Sequence, residues 1–334
     1  MKPKWADLTS RSGKPYILLK SLFIAMKGNA ALFFIFIIAI SAEICECTLQ
    51  SFLEDSDTIC RIDFESDNAL IAPQMSFPAN ANWLNFYKSL PVYSEKQPMK
   101  GTILLPQNWN GSKIILCLSP FNVSQILSAS SKFKNPVRSN CIELAAASDG
   151  GNNVPFALLS QKSGMYLLYV LDENDSTILS AAPLLITEED VDLQAPSIVQ
   201  ANESFFQILM NTTNPGNQSK IFAAMMIASK DYQNSSLRLE ANRSQSDFDA
   251  ILALGPQSLR MSGMPKVSSE LLMNILPLLP QNSAIGLQES CQSGVSLVLM
   301  TDKPWNNGNY ILTCGVYSAG KGLLGIRQLE LEVA

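Results

Sequence analysis

Short segments that alternate between apolar and polar residues recur from residue 48 to the end of the chain. Because successive side chains of a strand point to opposite faces, this period of two predicts β-strands with one buried face. β-Branched residues strengthen the prediction, and Gly, Asn, Asp and Pro mark the turns between segments. Strands are predicted at residues 102–105, 112–118, 165–171, 184–187, 204–210, 221–228, 250–254, 295–300, 310–317 and 327–333.

Helical periodicity is scarce in this body. Residues 268–279 place Leu271, Leu272 and Ile275 at helical spacing and predict one short helix. Prolines at positions 277 and 280 limit its length, because proline lacks the backbone donor that a helix interior needs.

Two stretches, one in each half of the body, resemble each other. Gly164-x-Tyr166 opens a strand that is followed by a polar turn and a second strand, and Gly308-x-Tyr310 does the same. An acidic run at residues 188–192 lies between the halves and is typical of a linker. Many short strands with few helices predict an all-β fold of two tandem antiparallel β-sandwich domains, immunoglobulin-like in type. The domains are placed at residues 48–190 and 191–334.

An unbroken apolar run at residues 30–42 precedes the body, within a targeting segment that covers residues 1–47. The run is short for a membrane span of ~20 residues and suits the apolar centre of a signal peptide. The small residues Cys45 and Cys47 fit cleavage before Thr48. Met26 is the preferred true start, because a compact signal peptide begins there.

The alternative to a cleaved peptide is an uncleaved signal anchor at residues 21–42, the only membrane attachment that we expect. Lys27 would then lie inside the span, where a charge costs ~2.5–3.5 kcal/mol. Both interpretations place residues 48 onward outside the cytoplasm, because basic residues precede the apolar run. An extracellular or cell-surface location is therefore expected.

The charge and composition of the chain argue against several classes of function. The chain has 24 basic and 29 acidic residues, a net charge of −5. Phosphate backbones attract basic surfaces, so nucleic acid is not expected as a partner. The chain has no histidine, which excludes Ser-His-Asp and Cys-His nucleophile systems and imidazole metal ligands. A non-enzymatic role without a cofactor is expected.

Asn-X-Ser/Thr sequons are frequent in the body, as in an exported glycoprotein that carries sugars on loops and strand ends. The candidate glycosylation sites are Asn110, Asn122, Asn174, Asn202, Asn211, Asn217, Asn234 and Asn242. The alternative is a chain rich in Ser and Asn whose sequons are not used.

The cysteines of the body point to an oxidising compartment. Cys117 and Cys141 are separated by nearly the same interval as Cys291 and Cys314, with one such pair in each half. We therefore predict the disulfides Cys117–Cys141 and Cys291–Cys314. Cys60 is then left over, or it competes for a partner in the first half. Buried thiols without any disulfide are the alternative.

The region between the halves resembles a known family. The resemblance rests on Gly164-x-Tyr166-x-x-x-Val170-x-Asp172-x-Asn174, Leu179-Ser180-x-x-Pro183-Leu184-x-Ile186-Thr187, the acidic run, Ala195-Pro196-x-x-Val199, Phe205 and Ile208. This pattern resembles an extracellular domain family of methanogenic archaea, most clearly over residues 160–210. The resemblance implies secreted or surface-displayed β-sandwich modules of uncharacterised role, and it transfers no catalytic residue.

Two kinds of side chain offer candidate binding chemistry. Carboxylates around Asp172 and in the 188–192 run offer oxygen ligands to calcium, but neither has EF-hand spacing, so a solvated turn and a charged linker are favoured. Aromatic rings can stack on sugars, although in sandwich domains they more often fill the core. The aromatic candidates are Trp83, Tyr87, Trp109 and Trp305.

These observations favour a secreted or cell-surface protein that is not an enzyme and that acts in adhesion, envelope structure or protein contact. Its expected partners are other surface proteins or envelope glycans. One alternative is a carbohydrate-binding surface protein, which needs exposed aromatic rings. Another is a histidine-free hydrolase, which needs two carboxylates facing each other at ~5–10 Å.

Overall fold

The computed structural model describes residues 60–71, 74–76, 89–106, 109, 113–120, 141–145, 153–173, 178–213, 218–241, 248–254, 257–262, 279–280, 282–301, 304–318 and 321–334. The targeting segment lies outside these residues, as does almost all of the predicted helix at 268–279. Among the described residues, no helix has the length and apolar character needed to cross a bilayer.

The first half of the described chain forms ten strands that lie in three sheets. They are β1 (Arg61–Phe64), β2 (Asn68–Ile71), β3 (Gln74–Ser76), β4 (Ser89–Ser94), β5 (Met99–Leu104), β6 (Lys113–Pro120), β7 (Cys141–Ala145), β8 (Asn153–Leu158), β9 (Gly164–Asp172) and β10 (Ile178–Thr187). One sheet has the order β1-β5-β8, and a second has the order β2-β4-β10-β9-β6-β7. The third sheet contains β3 and is otherwise formed by the second half.

The two larger sheets of the first half share one hydrophobic core. Ile62, Ile103 and Phe156 come from the three-stranded sheet, and Leu116 and Leu184 come from the six-stranded sheet. All are almost fully buried. The two sheets of the first half therefore pack against each other through this core.

Among the described residues, the second half forms eleven strands and one short helix. They are β11 (Val191–Gln194), β12 (Ile198–Val199), β13 (Phe205–Thr212), β14 (Lys220–Ala228), α1 (Ser229–Gln233), β15 (Ser236–Ala241), β16 (Phe248–Leu254), β17 (Gln257–Ser262), β18 (Ala284–Ser290), β19 (Gly294–Met300), β20 (Gly308–Ser318) and β21 (Gly322–Val333). Eight of them form a sheet of order β11-β13-β19-β18-β14-β20-β21-β12 around a second core. The remaining strands form the sheet β17-β16-β15-β3.

The eight-stranded sheet folds back on itself. Its two edge strands, β11 and β12, are separated by only a few residues of chain, so the edges must lie close together. The strands β18 and β19 meet through the register pair Ile285↔Met300, so the sheet is weakly joined there. These two observations divide it into β11-β13-β19 and β18-β14-β20-β21-β12.

With that division, both halves have the same strand order, apart from β2, which adds an edge strand beside β4 in the first half only. The first half has β1-β5-β8 facing β7-β6-β9-β10-β4, and the second has β11-β13-β19 facing β18-β14-β20-β21-β12. In each half one early strand pairs in parallel with the last strand, as β4 does with β10 and β12 with β21. The other pairings in these two sets are antiparallel.

Each half also contains the same tyrosine contact. The Tyr166 hydroxyl donates to the Lys162 carbonyl at 3.0 Å, and the Tyr310 hydroxyl donates to the Asn306 carbonyl at 3.1 Å. In each half a tyrosine thus closes the turn before its own strand, and we call this contact a tyrosine corner. The Gly-x-Tyr similarity in the sequence therefore corresponds to one shared structural feature.

The two tyrosine corners allow a matched test. Changing Tyr310 to Phe is expected to lower the free energy of unfolding by ~1–3 kcal/mol, because the Asn306 carbonyl loses its donor next to a buried ring. Tyr310 is 2% exposed, whereas Tyr166 is only half-buried. Changing Tyr166 to Phe should therefore lower the free energy of unfolding by less. Urea unfolding of both variants measures the difference, and equal costs would contradict this explanation.

The all-β prediction is confirmed. Each predicted strand overlaps an observed one, and the observed strands are mostly longer. The prediction of a linker at residues 188–192 is wrong in part, because β11 begins at Val191 and Glu189 is buried. The sheet that joins β3 to β15 was not predicted, since a pairing between segments so far apart leaves no local pattern.

Candidate functional site

A buried ion pair lies where the first half passes into the second. Lys220 Nζ lies 2.8 and 2.9 Å from the two carboxylate oxygens of Glu189 and 3.3 Å from the Thr212 hydroxyl. Both charged side chains are 4% exposed. The end of β13 and the start of β14 place Thr212 and Lys220 beside the chain that enters β11. Charges so deeply buried are tolerated when they are paired and hydrogen-bonded, so this pair fixes the start of the second half.

The backbone around Glu189 lies tightly against β21. The Glu189 N–H donates to the Leu324 carbonyl at 2.8 Å. A Cβ atom added to Gly325 would lie 2.6 Å from the Glu189 carbonyl oxygen and 2.8 Å from a methyl carbon of Val191. Glycine is therefore needed at 325 for the close approach of the two backbones.

Three of the acidic side chains that were considered for calcium lie beside lysines. Glu189 pairs with Lys220, and Glu188 accepts a 2.5 Å hydrogen bond from exposed Lys321, which raises the pKa of that lysine. Glu173 lies 3.6 Å from Lys113. Within the described parts of the chain, no group of three or more Cys, Asp or Glu side chains is placed to hold a metal ion. These carboxylates act in the described structure as ion-pair partners.

A second polar group, which we call the clamp, consists of Gln328, Tyr232, Thr313 and Ile71. Gln328 Oε1 accepts from the Ile71 N–H at 2.6 Å, and the Tyr232 hydroxyl donates to the Ile71 carbonyl at 2.7 Å. Gln328 Nε2 donates to the Tyr232 hydroxyl at 3.0 Å and to the Thr313 hydroxyl at 2.8 Å. Both backbone groups of Ile71, in the first half, are thus bound by side chains of the second half.

Two more contacts extend this attachment along the first half. The Asn68 side chain donates to the Ile326 carbonyl at 2.8 Å. Strand β3 pairs in parallel with β15, with Gln74 opposite Ser236. We call β2 and β3 together the strap. The strap and the clamp join the two halves at several points, in addition to the chain connection itself.

The cysteine predictions have different outcomes. Cys117 and Cys141 lie directly opposite each other on β6 and β7 and form a disulfide. Cys291 and Cys314 are not bonded, since Cys291 is exposed and Cys314 is a buried thiol. The predicted Cys291–Cys314 disulfide is therefore wrong. Burial raises the pKa of the Cys60 thiol to about 12 and that of Cys314 well above its ordinary value.

The strand register explains why the second pair does not form. On β14, Lys220 pairs with Ser290, next to Cys291, and Ala224 pairs with Cys314. These two points of β14 are ~13 Å apart at ~3.3 Å per residue, and the cysteines lie on opposite sides of that strand. A disulfide requires Cα atoms within ~7 Å of each other. Similar sequence intervals therefore separate two opposed cysteines in the first half and two distant cysteines in the second half.

Three of the candidate glycosylation sites are described. Asn202 is exposed in the turn before β13, Asn211 is half-buried near the end of β13, and Asn234 is exposed after α1. The other candidates, Asn110, Asn122, Asn174, Asn217 and Asn242, lie outside the described residues. Glycosylation of these three sites stays a prediction.

An apolar surface lies on β13 and β19, and we call it the β13–β19 face. Its apolar side chains are Phe205, Leu209, Val298 and Met300, which are 60%, 39%, 45% and 51% exposed. Phe205 is directly opposite Met300, and the register places Val298 opposite Gln207 and Leu209 opposite Ser296. Val298 lies two residues before Met300 on the same side of β19 and is the diagonal neighbour of Leu209, ~7–8 Å away, so the four side chains form one patch. A patch of this kind usually has a function.

The aromatic residues considered for sugar stacking are mostly unsuitable where they are described. Trp305 is 3% exposed and packs edge-on against Phe206, with ring centroids 5.3 Å apart. Trp109 is half-buried and packs against the first core. Trp83 and Tyr87 lie outside the described residues. Trp305 is therefore a core residue and offers no surface for a sugar ring.

The residues at the junction and on the β13–β19 face were not predicted from the sequence. Lys220 is a single charge at the start of the apolar strand KIFAAMMIA, and that isolation was the available signal of a buried ion pair. Phe205, Leu209, Val298 and Met300 leave β13 and β19 apolar on both faces, which indicates a covered or binding surface. Gln328 gave no signal, because it resembles any polar residue of an alternating strand.

Comparison with known proteins identifies no family. No protein-family model matches this chain. No curated protein matches its sequence.

Several solved structures resemble parts of the fold at low similarity. A glycosyl hydrolase family 2 member from Bacteroides cellulosilyticus is 14% identical, with a TM-score of 0.21, over 86% of this chain and 31% of that one. CBD12 from CALX1.2 is 9% identical, with a TM-score of 0.22, over 69% and 79%. The BSP domain of a biofilm associated protein is 12% identical, with a TM-score of 0.18, over 73% and 28%. The chain spans less than a third of the first and third of these, and such TM-scores indicate nothing about its role.

Proposed function

We propose that this chain is a secreted or cell-surface protein without enzymatic activity that serves as a structural part of the cell envelope. The observation that carries the proposal is the clamp, together with the strap. Side chains of the second half bind both backbone groups of Ile71, and β3 pairs with β15. Such contacts suit a unit that transmits force between its halves, whereas a free linker would suit independent domains.

The proposal includes two tandem β-sandwich modules of immunoglobulin-like type, at residues 48–190 and 191–334. Two features support it: the shared strand order and the tyrosine corner in each half. In this fold the loops at the ends of the sandwich vary, while the paired strands and the tyrosine corner maintain the core.

Three observations support an extracellular location. The Cys117–Cys141 disulfide fits an oxidising compartment. The sequons at Asn202, Asn211 and Asn234 lie where a glycan can be carried. The apolar run at residues 30–42 suits export. Membership of the methanogen extracellular family remains part of the same proposal.

Adhesion or contact with another surface protein is the second candidate function, and the exposed β13–β19 face favours it. Binding to envelope glycans has less support, because Trp305 is buried. The hydrolase alternative also has less support, since Glu188 and Glu189 are bound to lysines. A glycan array and a panel of glycosidase substrates test these two alternatives directly.

The structural role predicts that the two halves unfold together. In calorimetry the full chain should unfold in one transition, and Gln328→Ala should split it or shift part of it to lower temperature. The variant loses three hydrogen bonds, each worth ~0.5–1.5 kcal/mol. Gln194→Ala, at an exposed position of β11, is the matched control and should leave the transition unchanged. Two independent transitions in the unmodified chain would contradict the structural role.

A further inference from the structure

The sequon at Asn211 lies on the same face of the sheet as the apolar patch. Asn211 follows Leu209 by two residues in β13, so the two side chains point to the same side. Thr212, the middle residue of the sequon, points inward and is buried. Its hydroxyl donates to the Ser293 carbonyl at 3.2 Å. Thr213, which completes the sequon, is exposed. A sugar attached to Asn211 would therefore begin on the β13–β19 face.

The residue opposite Asn211 has no side chain that could block the attachment of a sugar. Asn211 pairs with Gly294 on β19, so no side chain stands across from its amide. A Cβ atom at Gly294 would clash with Asn211 Oδ1, which shows that the amide lies over the glycine backbone. From there the next outward positions are Leu209 and Ser296, which are themselves directly opposed.

The chemistry of the face suits a carbohydrate. Sugar rings combine apolar C–H surfaces with hydroxyl groups. The face combines apolar side chains with Gln207 and Ser296, which hydrogen-bond to each other across the two strands. Phe205 supplies an exposed aromatic ring at the far end of the face. The face thus offers both apolar contact and polar partners along the direction in which the glycan would extend.

Covalent attachment to Asn211 favours the glycan over a separate protein as the molecule that covers the β13–β19 face. A ligand that is covalently attached beside its site has an effective concentration in the millimolar range, so weak contacts suffice to hold it there. A separate protein would have to find the face vacant.

We propose that an N-linked glycan on Asn211 covers the β13–β19 face. The inference rests on the proposed function, because N-glycosylation requires export. It gives the exposed side chains Phe205, Leu209, Val298 and Met300 a covering that belongs to the same chain.

The test uses the full chain, produced in a host that N-glycosylates exported proteins. Glycopeptide mass spectrometry measures occupancy at Asn211, and binding of the dye ANS measures exposed apolar surface. Thr213→Ala removes the sequon and should raise dye binding several-fold and promote self-association. Thr213→Ser keeps the sequon and should behave like the unmodified chain. Asn234→Gln removes a site away from the face and should also change nothing.

A further variant links the dye signal to the face. Adding Phe205→Ser and Met300→Ser to Thr213→Ala should return dye binding to the original level. An exported chain that is glycosylated at other sequons but bare at Asn211, or a Thr213→Ala variant with unchanged dye binding, would overturn the inference alone. The face would then be assigned to a protein partner. A chain that is not exported would overturn the proposed function, and this inference with it.

Discussion

Replacing Lys220 with methionine is expected to lower the free energy of unfolding by ~3–5 kcal/mol, because the variant leaves the Glu189 carboxylate buried without its partner. Both side chains are 4% exposed, and Lys220 contacts both carboxylate oxygens, so water cannot take the place of the lysine without opening the junction. Urea unfolding of the full chain at neutral pH measures the loss. Methionine keeps most of the side-chain length, so the effect reports the charge.

Two controls separate the buried charge from general damage. Lys220→Met combined with Glu189→Leu removes both charges and should recover most of the loss, since apolar pairs often replace buried ion pairs at little cost. Lys321→Met breaks the exposed pair with Glu188 and should have little measurable effect. A single Lys220 variant as stable as the original chain would show that the pair is solvated and that the junction is looser than described.

Loss of the Cys117–Cys141 disulfide is expected to lower the free energy of unfolding by ~3 kcal/mol, because the unfolded chain then gains the freedom of the loop between them. The two cysteines are 24 residues apart in sequence. Comparing urea unfolding of the chain with that of Cys117→Ala/Cys141→Ala measures the effect.

A reductant provides the matching control for this prediction. Dithiothreitol should destabilise the original chain and leave the double-alanine variant unchanged, because Cys291 and Cys314 form no bond. Further destabilisation of that variant by the reductant would reveal a second disulfide and contradict the arrangement of β14, β18 and β20.

Local strand pattern was visible in the sequence, and strand pairing was not. The strands β13 and β19 are short runs rich in apolar, β-forming residues, which is why they were predicted. Strand β8 alternates between buried and exposed positions but contains Pro155, which broke the pattern of β-forming residues. Strand β11 begins inside the acidic run and resembles a linker in sequence, since half of its residues are polar.

The candidate site was less predictable than the fold for the same reason. The Cys117–Cys141 pair joins neighbouring strands of one sheet, so a short sequence interval was a good guide. Cys314 lies on a strand that pairs with β14 and β21, and its sequence distance from Cys291 has no bearing on spatial distance. Contacts of the clamp connect Ile71 with Gln328 from opposite ends of the chain. Such contacts depend on the packing of the two halves, which no local periodicity records.

The central claim is that the chain works outside the cytoplasm as one unit of two joined halves. Peptide mass mapping of the native protein, isolated from separated envelope and cytosolic fractions of its own cells, tests this claim most directly. We predict envelope or extracellular protein in which Cys117 is bonded to Cys141 and Cys314 is reduced. After treatment with a chemical cross-linker, we also predict cross-links between segments near Asn68 and Ile326. Cytosolic protein with all thiols reduced, sequons bare and no such cross-links would contradict the account.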